Sequence, residues 1–122
     1  MEDHRVSQNR HNRVEKAILY IESNYTEKIT ASEIAESAHL SRFHFIRLFR
    51  STTGTTPMEF VTQLRLNKAK SLLLTTGMSL AIIALSCGFS SQSHFNRTFK
   101  THQGQTPGQF RKNAAGVSRV QT

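Results

Sequence analysis

Apolar residues first fall into register at Val14, Ala17, Ile18 and Ile21, spaced i, i+3, i+4 and i+7. That is one face of an α-helix, and the pattern runs out near Asn24. The preceding residues 1–12 are polar and charged and read as a loose arm. Helix start signals then recur along the chain. Thr30 stands three residues before Glu33, the capping-box spacing, and predicts a short helix over 31–38 with Ile34, Ala35 and Ala38 inward. Ser41 can cap a helix over 42–52 that stops before Gly54. Thr56-Pro57-x-Glu59 combines a cap, a proline at the first helical position and the box glutamate. It opens a long helix over 57–75, with Phe60, Leu64, Ala69 and Leu72 or Leu73 inward and a stop near Gly77. Ser79 opens a helix over 80–87 closed by Gly88, Ser90 or Ser91 opens one to 102, and Thr106-Pro107 opens a last one to 113. Residues 114–122 read as a flexible tail. No run alternates apolar and polar residues for long enough to make a strand. The pattern predicts an all-α fold of about seven helices.

Part of this pattern is written twice, 50 residues apart. His44-Phe45-x-Arg47-x-Phe49-Arg50 is matched by His94-Phe95-x-Arg97-x-Phe99-Lys100, and Gly54-x-Thr56-Pro57-x-x-Phe60 by Gly104-x-Thr106-Pro107-x-x-Phe110. Such a repeat implies one small structural unit built twice. Ahead of each copy lies a short helix and a tight turn: Ile34-Ala35-x-x-Ala38-His39-Leu40-Ser41 and Ile83-Ala84-x-x-Cys87-Gly88-Phe89-Ser90. Ala35 and Ala84 let two helices approach closely, and Leu40 and Phe89 can plug the angle between them. This is the layout of a helix-turn-helix, whose second helix enters a DNA major groove. The segments before the turn align at 49 residues rather than 50, so the second copy carries one extra residue around Ser90-Ser91. The expected organisation is an arm (1–12), a first helix-turn-helix subdomain (13–56), a linker helix (57–76), a second helix-turn-helix subdomain (77–113) and the tail.

Each second helix divides into two faces. Phe45, Leu48 and Phe49 face one way in the first, as do Phe95 and Phe99 in the second, and both groups read as core. Arg42, Phe43, Ile46, Arg47 and Arg50 occupy the other side of the first; Gln92, Ser93, Asn96, Arg97 and Lys100 occupy it in the second. Arginine reads guanine, and asparagine and glutamine read adenine, each bidentately. Phe43 and Ile46 fit thymine methyls or sugars, or alternatively a neighbouring helix. Arg47 and Arg97 suit base edges, phosphates or a surface ion pair. Two unlike readers predict an asymmetric site bound by a monomer. A linker helix over 57–75 spans roughly 28 Å, against about 34 Å between successive major-groove faces, so a bend in the DNA is expected.

Charge sharpens this picture. Among the 122 residues all eight carboxylates lie at or before Glu59, whereas residues 60–122 carry eight Lys/Arg and no Asp or Glu. A half without negative side chains suits a polyanion, or else is a solvated basic surface. Cys87 is the only cysteine, so no intramolecular disulfide or cysteine-based zinc site is possible. The start of the chain has no apolar leader, and the longest apolar stretch falls far short of the roughly 20 residues of a membrane helix. These features lead us to expect a soluble cytoplasmic protein with no membrane partner. Six histidines are present, but the second half has no acid to orient one, and no glycine-rich phosphate loop occurs. Neither an enzyme nor a metal site is expected.

The run Ile83-Ala-x-x-x-Gly88-Phe89-Ser-Ser-x-Ser-His-Phe95-x-Arg97-x-Phe99-Lys100, followed by Gly104-x-Thr106-Pro107, resembles the signature of the AraC/XylS transcription regulators. The resemblance covers about residues 12–112. It implies promoter DNA as the ligand, contact with RNA polymerase and monomeric binding to an asymmetric site; an activator is the leading expectation. It places base contacts at Phe43, Ile46 and Arg47 in the first reader and at Gln92, Ser93, His94 and Arg97 in the second. Ser41, Ser90, Ser91 and Arg111 are the expected phosphate contacts. The chain departs from the small stand-alone members, which carry Trp where Phe43 stands and Gln where Ile46 stands. Ala38-His39 also replaces the usual glycine of the first turn. No separate sensing domain fits in this length, so no effector site and no cofactor are expected. Alternatives are a repressor, the DNA-binding fragment of a larger effector-responsive regulator, or a nonspecific basic nucleic-acid adaptor.

Overall fold

A computed structural model describes the backbone of residues 4–121 and the side chains of residues 8–115. Its helices are α1 (His4–Asn24), α2 (Ala31–Ser37), α3 (Arg42–Thr53), α4 (Pro57–Thr75), α5 (Leu80–Ser86), α6 (Gln92–Gln103) and α7 (Pro107–Gln121). No strand occurs among the described residues.

The start signals work as their chemistry requires. The hydroxyls of Thr30, Ser41, Ser79 and Ser91 accept from the backbone N–H groups of Glu33, His44, Ile82 and His94. Each bond satisfies a donor that the first helical turn leaves open. The box ahead of α4 is reciprocal: Glu59 N–H donates to Thr56 Oγ1 (3.2 Å) and Thr56 N–H to Glu59 Oε2 (3.2 Å). Ahead of α7 the same box is made by Thr106 and Gln109, at 2.9 and 3.2 Å. Glutamine keeps both bonds there without adding a negative charge. Helices α3 and α6 end alike, at Gly54 (φ +84°) and Gly104 (φ +77°), whose N–H groups donate to Arg50 O and Lys100 O.

Two ends differ from the sequence pattern. The first helix starts at His4, inside the stretch expected to be an arm, and the last runs through Gln121, inside the expected tail. The N-terminal extension carries polar i, i+4 pairs: Gln8 donates to Asn12, and the ring of His11 lies 3.4 Å from Glu15. Such pairs support a helix that has no apolar face to bury. At the other end no proline interrupts the chain after Asn113, and Ala114-Ala115 are strong helix formers.

The chain divides into two units, Met1–Leu64 and Arg65–Thr122, and each has its own core. In the first, α1 contributes Val14, Ala17 and Ile21, α2 Ile34 and Ala35, α3 Phe45 and Phe49, and α4 Val61. In the second, α4 contributes Leu66, Ala69 and Leu73, α5 Ile83 and Ala84, the turn Cys87 and Phe89, and α6 Phe95 and Phe99. The aromatic pairs repeat too. Phe45 and Phe49 stand 5.5 Å apart between ring centres and Phe95 and Phe99 5.7 Å, while Phe49 meets Phe60 edge-on as Phe99 meets Phe110. Because α4 serves both cores, its apolar residues do not form one stripe: Phe60 and Leu64 pack half-buried on the first core, and Leu72 on the second.

Candidate nucleic-acid interface

Each unit presents one helix-turn-helix, and the internal repeat makes the two directly comparable. The turn is closed by the same backbone bonds in both. Leu40 N–H donates to Ala35 O (3.1 Å) and Phe89 N–H to Ala84 O (3.0 Å). One residue in each turn must adopt the left-handed conformation. In the second turn Gly88 does so at φ +96°; in the first it is His39, at φ +58°. The substitution noticed in the sequence is thus accommodated without changing the turn, by placing a side chain where glycine is ordinarily favoured.

On α3 the buried pair Phe45 and Phe49 fixes which side faces out. Arg42, Phe43, His44, Arg47 and Arg50 are exposed, Phe43 at 76% of its surface. Phe43 is the most exposed of the large hydrophobic side chains among the described residues, and its helix also carries three exposed arginines. Ile46 differs from its neighbours: it is half-buried and packs against the first core, so part of it already belongs to the fold.

On α6 the buried pair is Phe95 and Phe99, and Gln92, Ser93, Arg97 and Lys100 are exposed. Asn96 sits where Ile46 sits in the first helix. It is half-buried, and its Oδ1 is fully buried without a hydrogen-bond partner. Asn96 is thus less exposed than Gln92, Ser93, Arg97 and Lys100, with which it was expected to share the outer face. His94 is half-buried, with its Nδ1 3.3 Å from Ser90 Oγ and its ring edge-on to Phe89 at 5.6 Å. His94 and Arg97 line a shallow hollow with Thr98, Thr101 and His102. The last three were not singled out in the sequence, although their i+4, i+7 and i+8 offsets from His94 place them on one helical face.

The expected phosphate contacts separate once their bonds are seen. Ser41 and Ser91 are exposed helix caps. Each hydroxyl accepts from the backbone and retains its own O–H to donate elsewhere. Ser90 is exposed and bonded to His94. Arg111, expected on a phosphate, also bonds within the fold: its Nε donates to Leu73 O (3.1 Å) and one terminal nitrogen to Thr76 O (3.2 Å). A guanidinium fits there because the last carbonyls of α4 lack intrahelical partners and carry the negative end of the helix dipole. Lys68 does the same for α5, donating to Ser86 O at 3.3 Å. Arg65 is only 9% exposed, and burial holds its pKa below the usual arginine value. Burial also pushes the Cys87 thiol up, while the charge of Lys68 pulls it down to a smaller degree. No cluster of three metal-ligating side chains occurs among the described residues, and none of their helices is long and apolar enough to cross a membrane.

This geometry agrees with known proteins. A family model described as a helix-turn-helix domain matches residues 34–113. The chain is 36% identical over 112 residues to the HTH-type transcriptional regulator ArgR of Pseudomonas aeruginosa, covering 92% of this chain and 34% of that protein. Its structure is similar to that of an AraC-type transcriptional regulator from Chromobacterium violaceum, with TM-score 0.77, 36% identity and coverage of 86% of this chain and 94% of that one. The chain belongs to the AraC/XylS family. It carries, accordingly, the helix-turn-helix domain of that family. The DNA-binding domain of the AraC/XylS chain also superimposes on that of AdpA, a global transcriptional factor solved with a target DNA, with TM-score 0.80, 28% identity and coverage of 89% and 97%. The AraC/XylS chain spans about a third of the length of the ArgR relative it matches.

Proposed function

We propose that this chain activates transcription by binding an asymmetric promoter site as a monomer, with α3 and α6 in adjacent major grooves. The observation that carries this reading is the repeated geometry. Two capped helices each bury a phenylalanine pair and turn basic and polar side chains outward, yet the two outward sets differ. Unlike readers require unlike half-sites. Arg42, Phe43, Arg47 and Arg50 serve the first, with Ile46 adding an apolar edge. Gln92, Ser93, His94 and Arg97 serve the second, with Lys100 toward the backbone. Ser41 and Ser91 donate their free O–H groups to phosphates. RNA polymerase is the protein partner in this reading, and the DNA bends where the two readers do not match the groove spacing.

Selection of binding sites from random double-stranded DNA at physiological salt tests the proposal. Recovery of an asymmetric motif of about 15–20 base pairs, in two blocks roughly one helical turn apart, is the expected result. A palindrome would replace the monomer with a dimer. A single block would leave only one reader. No enrichment, with binding that collapses as salt rises, would favour a nonspecific polyanion binder. Transcription in vitro from a promoter carrying the recovered site then separates activation from repression, and a phasing gel measures the bend.

A further inference from the structure

The two readers differ by one inserted residue, and that residue makes a bond the first reader cannot make. Up to Leu40 and Phe89 the turns share their backbone bonds. The first chain then passes directly to the cap, Ser41, whereas the second places Ser90 before its cap, Ser91. From there Ser90 Oγ reaches His94 Nδ1, four residues on, at 3.3 Å. The ring of His94 also stands edge-on to Phe89, itself only 4% exposed. At the equivalent position in α3, His44 is exposed, and Leu40 stands where Phe89 stands. Across the ten-residue segments 41–50 and 91–100 the burial pattern is the same at every position except His44 and His94.

Resting on the reading of α6 as a DNA-reading helix, we propose that Ser90 is a positioning residue that holds the His94 imidazole so that Nε2–H is presented to an acceptor on a base in the second half-site. A serine hydroxyl can donate to Nδ1 or accept from it. When it donates, the neutral ring carries its proton on Nε2. When the ring is protonated, Nδ1–H donates to Ser90 and Nε2–H still points away. Only the remaining neutral tautomer turns a lone pair outward, and that form is disfavoured beside phosphates. Two of the three states therefore leave a donor on the free edge of the ring. A donor there matches guanine O6 or N7, thymine O4 or adenine N7, and mismatches the amino groups of adenine and cytosine, so the sharpest contrast is against cytosine. The side chains that share a hollow with His94 are neutral or basic: Arg97, Thr98, Thr101 and His102. The first reader has an untethered His44, so it gains no comparable selectivity from its histidine.

The test uses the full chain in two arms. In the first, imidazole nitrogen NMR of the DNA-free protein reports the tautomer of each histidine. The expected result is a predominant Nε2–H form at His94 that is redistributed in Ser90→Ala, restored in Ser90→Thr, and accompanied by no change at His44. Unchanged His94 signals in Ser90→Ala would overturn the tether. In the second, affinity is measured for the duplex recovered by random-site selection and for its single-base variants. Ser90→Ala should lose about threefold to tenfold of discrimination at one base position, the position that His94→Ala also relaxes. The double variant should lose no more than His94→Ala alone, and the salt slope should not move. An equal loss on all sequences, independent of His94, would make Ser90 a phosphate contact and overturn the proposal. An intact tether in the first arm with no sequence preference in wild type would instead overturn the DNA-reading role of α6. Unchanged circular dichroism and melting temperature establish that each variant is folded.

Discussion

At φ +58°, His39 holds a conformation that costs a side-chain-bearing residue about 1–2 kcal/mol, while Gly88 holds the same place in the second turn. Glycine brings a cost of its own, roughly 0.5–1 kcal/mol of extra chain entropy. His39→Gly should therefore stabilise the first unit by up to about 1 kcal/mol, read as a higher denaturant midpoint with an unchanged slope; a lower midpoint would contradict the backbone assignment. Arg111 yields the opposite kind of prediction. Its bonds to Leu73 O and Thr76 O end α4, so Arg111→Ala should cost about 1–3 kcal/mol of stability and leave the salt dependence of DNA binding unchanged. Arg97→Ala should do the reverse, with melting unchanged and about 1–3 kcal/mol lost at one half-site if the residue reads a base. These contrasts also mark where sequence reading stops. Arg111, Arg97 and Lys100 are equally basic letters, and nothing in their spacing tells which one the protein spends on itself.

At the scale of the element, the repeat supplies its own control. Gly54 and Gly104 close α3 and α6 with the same bond and similar backbone angles, and a methyl group added at either meets nothing within 4 Å. Alanine at either site should therefore cost only the backbone strain, about 1–2 kcal/mol, and the two losses should agree. A much larger loss at one of them would reveal a contact the isolated geometry does not contain. Helix starts and stops were legible in the sequence because caps, prolines and terminal glycines act over three or four residues. The helical stretches ahead of Val14 and beyond Asn113 were not, because a polar segment without apolar periodicity gives no sign of whether it is helix or coil.

At the scale of the whole molecule, the buried residues form two sets that share no side chain, one in each unit. Phe49→Ala should remove about 3–5 kcal/mol from the first core and Phe99→Ala a similar amount from the second. Cys87, fully buried in the second and with its thiol pKa raised by burial, is a reporter of that core. The thiolate is the reactive form, so labelling at neutral pH requires opening. Phe99→Ala should accelerate it strongly, and Phe49→Ala far less. Equal acceleration by both variants would mean that the units open as one.

The sequence by itself determined the helices between Val14 and Asn113, the doubled unit, the side of α3 and α6 that faces the core, and the basic, acid-free second half. All of these follow from periodicity, capping chemistry and charge, which are local or additive along the chain. Tertiary structure decided what each outward-facing side chain is free to do. Packing drew Ile46 and Asn96 partly inward, the open carbonyls of α4 claimed Arg111, and the extra turn residue brought Ser90 to His94. Those outcomes depend on which groups meet after the chain has folded, and neither apolar periodicity nor a capping signal records that meeting.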